Sequence, residues 1–313
     1  MKVVDGPLGL HSKPVSDLKW NISGEYLASV SKDKTTKICA LKGDGSLKLV
    51  HTVPSSLMPV KIAWHPKVSN CFAVAGDDKN VDIWDVRAPR ASVRLPSLGN
   101  NINLAFSPDG KRVACGNSAD NIVVIDVAST KCSEPISFNY EVNEFSWSSN
   151  SDHLLVATGC VTGSQMGGIN VISFKDDKLN LVHSLAAHNS NCFSLTVDSK
   201  FSSCLMGSAD FLASMWSLED LICRYTIAYD SQPSSVAFSG DGERFCAATN
   251  SPFLDIYSSW AGEKVLELDL KVKTKLVAWH PTQNIIAFAS EPEAPKAHSA
   301  APAKQKHLRM VSF

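Results

Sequence analysis

Seven apolar runs in this chain each end in one bulky residue and pass at once into a turn. The anchors are Trp20, Trp64, Phe106, Trp147, Val197, Phe238 and Trp279, with gaps of 44, 42, 41, 50, 41 and 41 residues. A unit of about 40–45 residues cannot bury its own apolar face. Such units persuade a chain to fold only when neighbours stack, here as the blades of a ring. Behind each anchor comes a turn of Asn/Ser/Gly, His-Pro or Ser-Pro-Asp-Gly, residues that preset φ or tolerate φ > 0. A second short run follows (26–30, 71–75 and 112–115 in the first three units), then a polar turn carrying Asp33, Asp78 or Asp210, then a third run. Runs this short with turn signals between them predict strands, and no stretch sustains a helical period. The expectation is an all-β, seven-bladed propeller occupying 1–313 as a single domain. The seventh unit ends at Phe313 with its third strand, so an apolar strand within 2–10 is expected to complete the last blade and leave no open edge.

Within this grammar, Asp78 is followed six residues later by Trp84 and then Asp85. Asp210 with Trp216 repeats the spacing, and Asp33 with Cys39 repeats it with Cys replacing Trp. The pattern resembles the WD-repeat family. The resemblance implies a buried tetrad in which a His before the inner strand, a Ser/Thr of the second strand, the turn Asp and the third-strand Trp are hydrogen-bonded. His11, Ser29 and Asp33 supply three members in the first unit. His188, Asp210 and Trp216 supply three in the fifth, where Met206 stands in the Ser/Thr place. A satisfied buried network stiffens a blade, so these His and Asp residues are expected to be structural.

Composition narrows the function classes. The 313 residues are 44% apolar, enough for a core, and the formal net charge of −1 gives no general pull toward nucleic acid or membrane. No apolar run has transmembrane length and no signal-peptide pattern is present. Nine cysteines without a CxxC pair, mostly in strand-like runs, predict reduced buried thiols of an intracellular protein and no zinc site. Lysine clusters at 32–37, 271–275 and 304–309 read as solvated faces. Two segments break the repeat: 158–168, rich in Gly, Thr and Ser, and 291–306, rich in Ala, Pro and Lys. Both read as mobile loops on one face, available as partner-contacting arms.

The natural pocket of a propeller is the mouth of its central channel. The residues six before each anchor are expected there: Pro14, Met58, Asn100, Glu141, Asn191, Gln232 and Lys273. One carboxylate and one amine among neutral groups do not make a metal or acid–base centre. No GxSxG, Walker loop or HExxH occurs. No catalytic residue, metal or cofactor is therefore expected, and the ring is read as a candidate partner-binding surface. His65 and His280, in His-Pro turns on the opposite face, read as turn chemistry. Trp84-Asp85-Val86-Arg87 fits the WDxR pattern of WD-repeat substrate receptors of cullin-RING ubiquitin ligases, which makes Arg87 a second candidate contact.

A closer likeness covers nearly the whole chain. AWHPKVSNCFAVAGDDKNVDIWDVR, NNINLAFSPDGKRVACGNSADNIVVIDV, FNYEVNEFSW, AAHNSNCFSLTVD, GSADFLASMWSLEDLICR and VAWHPTQNIIAFAS are similar, in order and spacing, to the family of the WD-repeat subunit, subunit three, of the THO complex. The chain departs from it at Cys39, at Val197 and Ser199, and in the inserted loop of the fourth unit. The resemblance implies a nuclear, non-catalytic scaffold in messenger RNA processing and export (transcription–export, or TREX, biology). It implies docking on large helical scaffold subunits, and contact with messenger RNA and a DEAD-box helicase through the assembly. It implies no membrane and no small-molecule substrate.

Overall fold

The computed structural model describes residues 2–7, 10–55, 58–88, 90–160, 166–290 and 308–313. Among these, 28 strands form seven four-stranded antiparallel sheets, and the all-β propeller expected from the spacing is what folds. The inner strands are Val15–Trp20, Pro59–Trp64, Asn101–Phe106, Val142–Trp147, Cys192–Val197, Ser235–Phe238 and Thr274–Trp279. Each anchor is thus the last residue of an inner strand. These strands pack one against the next around the ring, and the seventh packs against the first.

Six blades run from inner to outer strand in chain order. The seventh is assembled from both ends of the chain: Thr274–Trp279, Ile285–Ser290, Leu308–Ser312, and then Lys2–Asp5 as the outer strand. The register pairs Lys2 with Ser312, Val3 with Val311, Val4 with Met310 and Asp5 with Arg309, and Arg309 Nε lies 3.2 Å from Asp5 Oδ1. The expected closing strand is therefore present.

The core is divided into seven wedges, one between each pair of adjacent blades. Leu18, Trp20, Leu27 and Cys39 of the first blade meet Ala278, Ala287, Leu308 and Met310 of the seventh. Leu155, Ala157 and Ile169 of the fourth meet Leu195, Cys204, Met206 and Trp216 of the fifth. The alternation of a half-buried sheet explains this. Each blade offers one face to each neighbour, so second strands such as Tyr26–Ser31 and Ser203–Ser208 are buried on both sides. Fully burying one Val, Leu or Phe contributes roughly 1.5–3 kcal/mol, and the wedges distribute that around the disc.

The 50-residue gap after Trp147 has two sources. The second strand of the fourth blade ends at Thr158 and the third begins at Gly167, so the insertion is shorter than the expected 158–168, and 161–165 lie outside the described residues. The rest of the extra length is strand: Gly167–Lys175 has 9 residues and Lys178–His188 has 11. The segment 291–306 also lies outside the described residues.

Candidate interaction site and central channel

Six of the seven inner strands carry a break in register one residue after they start, between Val15 and Asp17, Pro59 and Lys61, Asn101 and Asn103, Val142 and Glu144, Cys192 and Ser194, and Thr274 and Leu276. A bulge re-aims the side chain that follows it. The residues after the bulge lie three before each anchor, where the sixth blade has Ser235. Most of them fasten blade to blade. Asp17 Oδ2 accepts from the Ile62 amide at 3.1 Å. Asn103 Nδ2 donates to the Val142 carbonyl at 3.0 Å. Ser194 Oγ donates to the Pro233 carbonyl at 3.4 Å, and Ser235 Oγ accepts from the Val277 amide at 3.3 Å.

Lys61 and Glu144 do something different. They meet at 2.7 Å from the second and fourth blades, each side chain about one-fifth exposed. Burial alone would lower the Lys61 pKa, but the Glu144 and Asp17 carboxylates outweigh it and hold the ammonium above its ordinary value. The channel cavity around them measures about 260 Å³ and is lined by Lys19, Ala105, Ser146 and Thr196 among others. Among the described residues, no group of three or more His, Cys, Asp or Glu converges to hold a metal ion. Glu144 is engaged as the partner of Lys61, so this site offers charge already paired rather than a free base.

Three of the anchors have a polar role that their apolar context concealed. Trp20 Nε1 donates to the Ala278 carbonyl at 3.2 Å, Trp64 Nε1 to Lys19 at 2.9 Å and Trp147 Nε1 to Ala105 at 3.2 Å. Each indole reaches back to the inner strand of the preceding blade. The two His-Pro turns extend this fastening. His280 Nδ1 accepts from the Thr282 and Gln283 amides at 3.2 and 3.1 Å, while Nε2 faces the Gly24 carbonyl at 3.1 Å. His65 Nδ1 accepts from the Lys67 and Val68 amides at 3.1 Å, and the ring is hydrogen-bonded to the Gly110 backbone. Gly24 and Gly110 have φ of 76° and 78°, and a Cβ on either would overlap the facing imidazole. Burial lowers the pKa of both histidines.

The tetrad positions divide. In the first blade His11 Nδ1 lies 3.0 Å from Asp33 Oδ2 and Nε2 lies 2.8 Å from Ser29 Oγ. Asp33 also accepts from Thr35 Oγ1 at 2.6 Å and from the Ser12 amide at 3.0 Å. Burial would raise the Asp33 pKa, but these bonds and His11 bring it down to about 2. In the fifth blade His188 Nδ1 lies 3.0 Å from Asp210 Oδ2. Its Nε2 meets Ser214 Oγ at 2.7 Å, and Trp216 Nε1 donates to the same oxygen at 2.7 Å. Met206 therefore does not fill the hydroxyl position; it is a core residue, and Ser214 on the adjacent third strand supplies the oxygen. Among the described residues, Asp78 and Trp84 join no histidine: Asp78 accepts from Asn80 at 3.0 Å, and Trp84 packs at the edge of the wedge between the first two blades.

Ser214–His188–Asp210 and Ser29–His11–Asp33 have the contact order of a hydrolase triad. Both serines are buried, and in the fifth blade an indole N–H already occupies the hydroxyl oxygen. Nothing can reach either oxygen to be attacked.

Five members of the expected mouth ring are held through their backbones. The carbonyls of Pro14, Met58, Asn100, Glu141 and Asn191 accept from the amides of Lys32, Asp77, Ser118, Gly159 and Ala209. Gln232 and Lys273 precede the sixth and seventh inner strands and are exposed. Asn191 is drawn to Glu141, with Nδ2 3.1 Å from Oε2, and its Oδ1 accepts from the Cys160 amide at 2.7 Å. The start of the inserted loop is thereby pinned to the mouth. Gly159 is required there, since a Cβ would lie 2.8 Å from Glu141 Cβ. Arg87 is about 72% exposed, but its Nε and Nη2 hold Asp85 at 2.9 and 2.7 Å, and those bonds bring Asp85 down to about 2. The cysteines are free; burial pushes the thiols of Cys39, Cys115 and Cys192 up to about 12.

The WD domain, G-beta repeat model matches residues 6–39 and 98–125. THO complex subunit 3 of Arabidopsis thaliana is 32% identical over 289 residues, 91% of this chain and 89% of that protein. WD repeat-containing protein AAC3 of Dictyostelium discoideum is 28% identical over 74% of this chain and 48% of its own length. Among solved structures, the Cps50 (Swd1) β-propeller domain of Myceliophteria thermophila superposes with a TM-score of 0.79 over the whole of both chains at 16% identity, a likeness of fold.

Proposed function

This chain belongs to the THO complex subunit 3 family of WD-repeat proteins, and we propose that it is the non-catalytic scaffold propeller of a THO-type assembly in nuclear messenger RNA processing and export. The carrying observation is the extent of the match, nine-tenths of both chains, which is more than a shared repeat requires. The geometry supports the reading: the channel carboxylate Glu144 is bound to Lys61, and both buried triads are closed to substrate. A rigid disc offers wide faces on which partners bind with little reorganisation. The partners we propose are the large helical scaffold subunits, with messenger RNA and a DEAD-box helicase reached through them.

The test is capture. Tagged chain purified from nuclei at low salt is expected to retain the large THO scaffold subunit, and its absence would remove this reading. The ubiquitin-ligase receptor reading takes second place, because the Arg87 guanidinium is already bidentate to Asp85 within its own turn.

A further inference from the structure

Trp260 is about 85% exposed, the most exposed of the large apolar side chains among the described residues. It stands at the tip of the turn between Phe253–Ser258 and Lys264–Asp269 in the sixth blade. That turn is braced from three sides. The Ser258 amide donates to the Glu263 carbonyl and the Gly262 amide to Ser258, both at 2.9 Å, and the Ser259 amide donates to the Glu243 carbonyl at 2.9 Å. Tyr225 of the fifth blade donates its hydroxyl to the Ser259 carbonyl at 2.5 Å. Its ring fills the space where a Gly262 Cβ would lie 2.8 Å away, and Gly262 takes φ of 68°. An indole that could bury 150–250 Å² is thus held in solvent on a rigid support. Preorganisation of this kind lowers the entropy lost on binding.

The surroundings select the partner. Ile222, exposed, lies three residues before Tyr225 in the adjacent turn, whose Ser217 amide donates to the Ile222 carbonyl at 2.9 Å. The turns of the fifth and sixth blades on this face expose five carboxylates, Glu219, Asp220, Asp241, Glu243 and Glu263, against the exposed ammonium of Lys200. Arg224 is engaged with Ser203 Oγ at 3.3 Å, and Lys264 with Asp255 and Glu267 at 3.0 and 2.7 Å. An apolar anchor in an acidic field repels phosphate and favours lysine or arginine. We propose that Trp260 anchors a protein-docking surface on this face of the fifth and sixth blades, and that the occupant is a basic, amphipathic protein segment with an apolar notch for the indole. That the segment belongs to a THO-type scaffold subunit rests on the reading above; the surface itself does not.

Retention of the large scaffold subunit is compared for the full chain, Trp260→Ser, the pair Glu243→Lys with Glu263→Lys, and Phe211→Ser, an exposed aromatic in the turn between the second and third strands of the fifth blade. The Trp260 and paired-charge variants are expected to retain about tenfold less, and Phe211→Ser to be unchanged. Undiminished retention by Trp260→Ser overturns the docking surface and leaves the THO reading standing. No retention by the unaltered chain overturns the THO reading, and a second measurement then decides the surface. The chain is labelled with fluorotryptophan, the Trp260 resonance is assigned with Trp260→Phe, and a short leucine–lysine amphipathic peptide and oligo(U) are titrated in turn. A Trp260 shift with the peptide that the paired-charge variant loses supports the surface. No shift with the peptide, or a shift with oligo(U) alone, overturns it.

Discussion

Ser214 faces Met206 across the second and third strands of the fifth blade, and Ser214 brings its oxygen to within 2.7 Å of His188 Nε2. The Asp210 carboxylate can only accept, so the neutral imidazole presents Nδ1–H to it; Nε2 then accepts from the Ser214 hydroxyl, whose oxygen in turn accepts from the Trp216 indole N–H. The chain of donors runs Trp216, Ser214, His188, Asp210 without a conflict.

Removing Ser214 would leave an indole and an imidazole nitrogen buried without their shared partner. Ser214→Ala is expected to cost about 1–3 kcal/mol, read as a lower denaturant midpoint with an unchanged slope. A midpoint equal to that of the unaltered chain would mean that the network contributes nothing to stability.

Acid should weaken the ring in two windows. His65 and His280 have folded pKa values below the unfolded one, so the folded state binds fewer protons and stability falls as pH drops through the ordinary histidine range. Asp33, brought down to about 2, contributes stability that is present above the usual carboxylate range and is lost as pH falls toward 2. Urea midpoints at neutral and mildly acid pH should differ for the unaltered chain. The double variant His65→Asn/His280→Asn should be less stable but flatter with pH; an equally steep profile would assign the effect elsewhere.

The channel ion pair can be isolated by a double-mutant cycle. Lys61→Met alone strands Glu144, and Glu144→Gln alone strands the ammonium, whereas the double variant strands neither. A coupling of about 1–3 kcal/mol is expected, below the range for fully buried pairs because both side chains keep some solvent. Additive single effects would count against it.

Deleting residues 1–5 removes the outer strand of the seventh blade and exposes the edge of Leu308–Ser312. Four paired residues, at roughly 0.5–1.5 kcal/mol for each hydrogen bond, place the expected loss at several kcal/mol, seen as a lower melting temperature. An unchanged melting temperature would show that this strand does not hold the ring closed.

The blade count, the inner strands and the closing strand were legible because an anchor and its turn are local, and local signals survive in a linear text. The first-blade contacts of His11 with Ser29 and Asp33 follow family spacing and appear at that spacing. Ser214 was not legible, because a hydroxyl on the third strand can stand in for one on the second only once the two strands lie side by side. The blade-to-blade contacts along the channel were not legible for a similar reason. The residues six before each anchor are distinctive as letters, yet five of them contribute carbonyls, while the bulges turn the residues three before the anchor toward the neighbouring blade. Trp260 reads as one more apolar residue after a strand; its exposure, and the bracing of its turn by Tyr225 of another blade, appear only in the folded ring.

By itself the sequence determined periodicity: how many blades, where each inner strand ends, and which end of the chain must return to close the ring. Apolar spacing and turn chemistry act over a few residues, so no partner is needed to read them. The tertiary structure decided everything that depends on adjacent blades. The Lys61–Glu144 pair, the indoles donating backward, the imidazoles over Gly24 and Gly110, and the exposed Trp260 each join residues from different repeats. Their geometry is set by how wedges pack around an axis, a closure condition that no single repeat contains.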